Sequence, residues 1–184
     1  PESVLSGLTV EEVREGGARL AAVREALARS GAPAGAVDVA RQPVMLASSN
    51  GRPFSGPGWL FEIKYDGVRI LAARAGDAVT LYGRAGQDFT GRYPEVVTAL
   101  RALPATRFVL DGEVVALDEE GRPSFNLLQN HDSSSAPLAY FVFDVLVLRG
   151  RDVTQEPLRL RQQLLEEKVL PHLSDPVRYL APLD

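Results

Sequence analysis

The sequence contains no cysteine. That excludes disulfides, thiolate metal sites and cysteine nucleophiles, and it is compatible with a reducing compartment. Histidine is nearly absent too: His131 and His172 are too few for a histidine-rich metal centre and give a Ser-His-Asp triad little support. No uninterrupted apolar run approaches membrane-spanning length and no secretory leader is visible, so the expectation is a cytosolic protein with no membrane partner. Positive charge is also short. With 20 Lys and Arg against 24 Asp and Glu, the formal net charge is −4. Binding dominated by phosphate contacts needs clustered cations, so the balance argues against a protein that coats nucleic acid by bulk electrostatics. Local basic sites remain open to it.

What is present suits a soluble globular domain: 184 residues, 45% of them apolar, are enough for one domain with a real core. Thr9 followed by Glu12 reads as a capping box, and Val13, Leu20, Val23 and Leu27 continue at broadly helical spacing. That helix should stop near Ser30-Gly31, and the Ala/Gly/Pro-rich stretch to Val37 reads as a linker. Residues 1–42 are therefore assigned to a helical connector and 43–184 to the domain proper. From Trp59 onward, strands are expected over 59–65, 68–75, 78–83, 107–117 and 138–148, with Ala75-Gly76-Asp77 as a hairpin turn. Helices are expected over 92–102, 124–130 and 157–169, the last opened by Pro157. This order predicts an α+β domain on an antiparallel sheet rather than a doubly wound parallel one. Leu138 to Leu148 is apolar on both faces except at Asp144, which suggests a central strand covered on each side. Phe125 is expected in the core.

The most informative stretch is Glu62-Ile63-Lys64-Tyr65-Asp66-Gly67-Val68-Arg69. An amine attacks only when neutral, and an ordinary lysine with a pKa of about 10.4 is disfavoured in that form by roughly 4.6 kcal/mol at pH 7. A nucleophilic lysine therefore needs desolvation or neighbouring positive charge. If residues 61 to 66 are extended, Glu62, Lys64 and Asp66 share one face and Phe61, Ile63 and Tyr65 the other. A surface lysine with solvated acidic neighbours is the other reading of the same residues.

The octapeptide resembles the nucleotide-binding lysine motif of the covalent nucleotidyltransferases, which comprise ATP-dependent DNA ligases, RNA ligases and mRNA capping enzymes. Three further segments follow in the order that superfamily requires. Leu81-Tyr82-Gly83-Arg84-Ala85-Gly86 is similar to its second motif, with Gly83 where a serine is usual. Val109-Leu110-Asp111-Gly112-Glu113 is similar to the third, and Phe141-Val142-Phe143-Asp144 to the motif whose phenylalanine precedes an aspartate. Within the superfamily the chain is most similar to the ligase domain of bacterial ligase D, the end-joining DNA ligase.

The resemblance implies a set of roles. Lys64 would attack the α-phosphate of ATP to give lysyl-AMP, and AMP would then pass to a 5′-phosphate of nicked or broken double-stranded DNA. Phe143 would stack on adenine, Glu62 would approach its amino group, Arg69 and Arg84 would meet sugar and phosphate oxygens, and Asp66 would orient Lys64 or its turn. Glu113 would lie near the ribose and hold Mg2+, or Mn2+ in its place. End-joining repair factors are the implied protein partners, in the bacterial cytosol or nucleoid. Later motifs and the oligonucleotide-binding barrel of that family are not found before Asp184, so the expectation is the N-terminal part of an adenylation domain, weakly active or inactive by itself. An RNA ligase, a capping-type guanylyltransferase and a non-catalytic nucleotide- or end-binding module remain the alternatives.

Overall fold

The computed structural model describes Val39, residues 44–46, Arg52, Phe54, Gly56, residues 59–131 and residues 135–183. The connector expected over 1–42 lies outside the described residues, apart from Val39.

Strand β1 (Val68–Ala75) returns as β2 (Ala78–Gly83) through Gly76-Asp77. Gly76 has a φ of 63°, which places a glycine at the first central position of a two-residue hairpin, where a side chain would be strained. On its other edge β1 pairs antiparallel with β3 (Arg107–Ala116), which pairs antiparallel with β4 (Leu138–Leu148). Arg149 and Gly150 both have positive φ, 52° and 76°, and turn β4 into the short β5 (Arg151–Asp152). The last strand, β6 (Val177–Tyr179), runs parallel to β4 beside its first half. The sheet order is thus β2-β1-β3-β4-β5, with β6 also on β4.

Alternation along these strands sorts the sheet into two faces. Ile70, Ala72, Leu81, Phe108, Leu110, Val114, Tyr140 and Val142 face the main core. They pack with helices α1 (Pro94–Ala102), α2 (Phe125–Gln129) and α3 (Leu158–Lys168), which contribute Val96, Leu100, Leu128, Leu164 and Leu165. The opposite face carries the intervening positions, among them Arg69, Asp111, Glu113, Phe141 and Phe143. It holds only smaller apolar clusters, one around Leu71, Val109 and Leu146 and one around Val115, Leu117 and Ala139.

Several buried polar groups in this arrangement connect one element to another. Arg74 donates to the backbone oxygens of Leu100, Leu103 and Ala105, tying β1 to the end of α1 and the turn that follows it. The fully buried Tyr140 hydroxyl lies within hydrogen-bonding distance of the carbonyls of Ile70 (3.0 Å) and Leu110 (3.2 Å), tying β4 to β1 and β3. Burial holds its pKa well above the ordinary phenol value. Gly112 makes room for that ring: a Cβ there would collide with the Phe141 carbonyl and with Tyr140 Cε2. Asp144 is paired bidentately with Arg161 of α3, at 2.8 Å for both contacts, and each side chain is at most 6% exposed.

The expected strands at 68–75 and 78–83 and the long apolar strand at 138–148 are found, and the helices lie within two residues of their expected bounds. Two expectations are corrected, the strand at 59–65 and the core place of Phe125. Residues 59–65 do not form a strand; only Phe61 makes an isolated bridge, to Leu183. Apolar residues of this segment stay open, with Ile63 47% and Phe61 39% exposed, so no packed face rewards a ladder there. The expected α+β domain on an antiparallel sheet is found, with β6 as a short parallel addition to β4. Strands β5 and β6, two and three residues long, are too short to leave a periodic signal. Phe125 is 39% exposed, and Leu128 supplies the buried contact of α2.

Arg161→Ala should destabilise the fold by about 3–5 kcal/mol, because it leaves the Asp144 carboxylate buried without its partner. Asp144→Asn combined with Arg161→Met should recover much of that loss. Urea unfolding of the three variants checks this; equal stability for Arg161→Ala and the wild type would show that the pair is not structural.

Candidate functional site

The open face of the sheet gathers three of the candidate residues singled out in the sequence, Arg69, Glu113 and Phe143. Arg69 in β1 stands directly across from Glu113 in β3, and Glu113 directly across from Phe141 in β4. Arg69 Nε and Nη2 donate to Asp111 Oδ1 and Oδ2, both at 2.7 Å, a bidentate geometry that fixes the guanidinium plane. Its Cζ then sits 4.8 Å from the centroid of the Phe143 ring. Phe143 reaches this place through a bulge. Asp111 pairs with Asp144 and Gly112 with Val142, so Phe143 has no partner across the strand.

Lys64 lies before β1 on an exposed segment, and its charge is felt at Glu113. That segment is brought close to β3 by Gly67. A Cβ at Gly67 would collide with the Val114 carbonyl oxygen and approach Val115 Cγ1, so the close passage requires glycine. Gly67 N–H donates to Glu113 Oε1 at 3.2 Å, which orients the carboxylate beside the lysine segment. Tyr65 stacks on Phe141 at 4.4 Å between centroids and anchors the segment directly after Lys64. Glu62 accepts a hydrogen bond from Gln162 of α3 at 3.3 Å.

Electrostatically the site is acidic and only partly compensated. Burial raises the pKa of Glu113, an effect offset in part by the Gly67 hydrogen bond, Arg69 and Lys64. Burial also raises Asp111, even with Arg69 on both oxygens. Glu62 is raised by burial and then by the nearby charge of Asp144. Burial disfavours the charge on Arg69, yet Asp111 more than reverses this and leaves its pKa above the ordinary value.

The structure therefore brings together Lys64, Glu62, Arg69, Glu113 and Phe143. Asp66 and Arg84 are exposed and, among the described residues, make no side-chain hydrogen bond or ion pair. Arg84 directly follows Gly83, whose partner is Ile70, so it stands at the end of β2 near the level of Arg69. Sequence reading did not single out Asp111 as a site residue. Its alternation with Glu113 along β3 was the available signal, since it puts both carboxylates on one face.

Comparison with known proteins agrees with this geometry. The family model described as ATP dependent DNA ligase domain matches residues 44–179. A probable DNA ligase of Beutenbergia cavernae is 42% identical over 120 residues, covering 61% of this chain and 23% of that protein. The multifunctional non-homologous end joining protein LigD of Pseudomonas aeruginosa is 37% identical, covering 100% of this chain and 22% of that protein. Among solved structures, the ligase domain of Mycobacterium tuberculosis LigD superposes with a TM-score of 0.61 at 35% identity, over 68% of this chain and 41% of that one. A mycobacterial DNA ligase D complexed with ATP and MES gives a TM-score of 0.59 at 33% identity, over 68% and 40%. The chain thus spans less than a quarter of these curated relatives and about two fifths of the solved ligase domains. On the match across residues 44–179, the chain belongs to the ATP-dependent DNA ligase domain family.

Proposed function

We propose that this chain carries the nucleotide-accepting half-site of an ATP-dependent DNA ligase, with Lys64 as the nucleophile. In the first step the neutral Lys64 amine attacks the α-phosphorus of ATP. An N–P bond forms, the α–β phosphoanhydride bond breaks, pyrophosphate leaves with the bond electrons, and the amine gives up a proton. AMP is then transferred to the 5′-phosphate of a nick or break in double-stranded DNA, and the neighbouring 3′-hydroxyl displaces it as the strand is sealed. The observation that carries this reading is the face shared by Glu113, Arg69 and Phe143, with Lys64 on the segment before β1 and its charge felt at Glu113. It puts an amine, a carboxylate, a guanidinium and an aromatic ring within reach of one nucleotide.

Each group has a chemical reason to be there. Phe143 offers a purine the ring face that Arg69 does not cover, so stacking and the cation share one aromatic platform. Arg69 has two of its nitrogens committed to Asp111, which leaves Nη1 for a sugar or phosphate oxygen in a fixed direction. Arg84 adds a second guanidinium from the end of β2, and Asp66 orients the turn after Lys64. Glu62 faces the base amino group.

Magnesium, or manganese in its place, fits the donor chemistry at Glu113. One carboxylate oxygen accepts from Gly67, and the other is a hard oxygen donor for a cation. Among the described residues no cluster of three or more His, Asp or Glu side chains could hold a metal, a pattern suited to an ion that keeps its waters and arrives with phosphate oxygens. When bound, the ion supplies neutralisation of phosphate charge. Its compensation matters here because Glu62, Asp111, Glu113 and Asp144 crowd the same region. The proposed setting is the bacterial cytosol, with end-joining factors as protein partners; among the described residues no helix is long and apolar enough to cross a membrane.

Incubating the full-length protein with ATP and Mg2+ should place a single AMP on Lys64, mapped by mass spectrometry. The sequence has one other lysine, Lys168, in α3. Lys64→Ala should abolish the adduct, and ATP should outcompete GTP. An adduct that survives in Lys64→Ala would overturn the assignment, and reversible ATP binding with no adduct would favour a non-catalytic binding module.

Phe143→Ala should weaken nucleotide binding by about 1–3 kcal/mol, as for other base-stacking aromatics. Phe141→Ala should chiefly cost stability, because its ring is stacked on Tyr65 and packed against the Val115 cluster. Calorimetric titration of folded variants with ATP separates the two; equal affinities would return Phe143 to a packing role.

A further inference from the structure

Helix α3 presents two adjacent polar side chains to the interior, Arg161 and Gln162, 5% and 6% exposed. Arg161 is accounted for by Asp144. Gln162 is not needed for that pair, and a buried amide is costly unless hydrogen-bonded. Its Nε2 donates to Glu62 Oε1 at 3.3 Å, across 100 residues of sequence. Among the described residues this is the only hydrogen bond Glu62 receives.

The surroundings of Glu62 explain why that donor matters. Asp144 on β4 repels its charge, and Arg69 on β1 attracts it but directs two nitrogens to Asp111. Tyr179 on β6, with its hydroxyl 3.4 Å from Glu166 of α3, also feels Glu62. Burial and Asp144 together raise the Glu62 pKa, and Gln162 is the first of the effects that lower it. Occupying Oε1 also leaves Oε2 as the free acceptor.

From this geometry we infer that Gln162 is a positioning residue for nucleobase choice: it holds the Glu62 carboxylate oriented so that its free oxygen accepts from an amino group. The inference rests on the proposed role of Glu62 facing the base. An adenine amino group donates and matches a carboxylate. The keto oxygen of guanine accepts, and is met only by a protonated carboxyl. Gln162 thereby favours ATP over GTP without touching either. It affects binding rather than the phosphoryl step, since neither Glu62 nor Gln162 is placed at the reacting phosphorus.

Gln162→Met keeps the volume and removes the donor, whereas Gln162→Glu puts a second carboxylate against Glu62. Lysyl-nucleotide formation by the full-length protein, followed with ATP and with GTP from neutral pH down through the carboxylate range, is the test. Gln162→Met should raise the KM for ATP by about tenfold, the loss expected for a hydrogen bond to a charged group, with kcat unchanged. Because the folded Glu62 pKa rises further, the acid-side increase in KM should begin at higher pH, and the ATP-to-GTP preference should narrow. Gln162→Glu should shift both in the same direction and further, and serves in its place if Gln162→Met does not fold. Carbon-13 NMR of the Glu62 carboxyl should report the same rise in pKa without relying on turnover. Unchanged KM, acid limb and base preference in a folded variant would overturn the inference, as would an unchanged Glu62 titration. Absence of any adduct in the wild type would instead refute the lysyl-AMP reading, while the carboxyl titration still decides whether Gln162 governs Glu62.

Discussion

The bidentate contact between Arg69 and Asp111 is the constraint on which the candidate site depends. It locks a long flexible side chain against the sheet, so that the guanidinium lies over Phe143 at one defined distance. Freed from Asp111, Arg69 would have several rotamers available and no reason to stay on the ring. The pair is half open: Asp111 is almost wholly buried while Arg69 keeps a quarter of its side chain in solvent. The buried partner anchors and the other keeps part of its side chain facing solvent.

Two backbone irregularities deliver the other groups to that anchor. The bulge in β4 leaves Phe143 without a cross-strand partner and lets consecutive residues serve different tasks, the ring on the open face and Asp144 on α3. Gly67 allows the lysine segment to pass against β3 so closely that its own N–H orients Glu113. In both cases strand geometry is given up locally, and the site forms where it is given up.

The electrostatics show the same division between scaffold and function. Tyr140, Arg74 and the Asp144–Arg161 pair are buried polar groups whose hydrogen bonds connect elements of the core. Glu62 and Glu113 also have raised pKa values, yet among the described residues only one oxygen of each accepts a hydrogen bond. A carboxylate ionised at a desolvation cost and left only partly bonded is a feature expected of binding sites more than of structural ones.

Local pattern was sufficient for much of this protein. Period-two alternation and the Gly76 turn marked the β1–β2 hairpin, the unbroken apolar run marked β4, and Pro157 and the residues after it marked α3. The spacing around Lys64 and the four ordered motifs identified the candidate nucleophile and the aromatic residue, because those signals are carried by neighbours in the chain. Pairings across 42, 17 and 100 residues, Arg69 with Asp111, Arg161 with Asp144 and Gln162 with Glu62, leave no such trace. Nor did the sequence show that residues 59–65 would stay out of the sheet, since their alternation is that of a strand, yet among the described residues no layer covers their apolar side chains. Tertiary structure alone decided which carboxylate each cation meets, because a side chain's partner is set by the register and bulges of strands that the chain brings together from far apart.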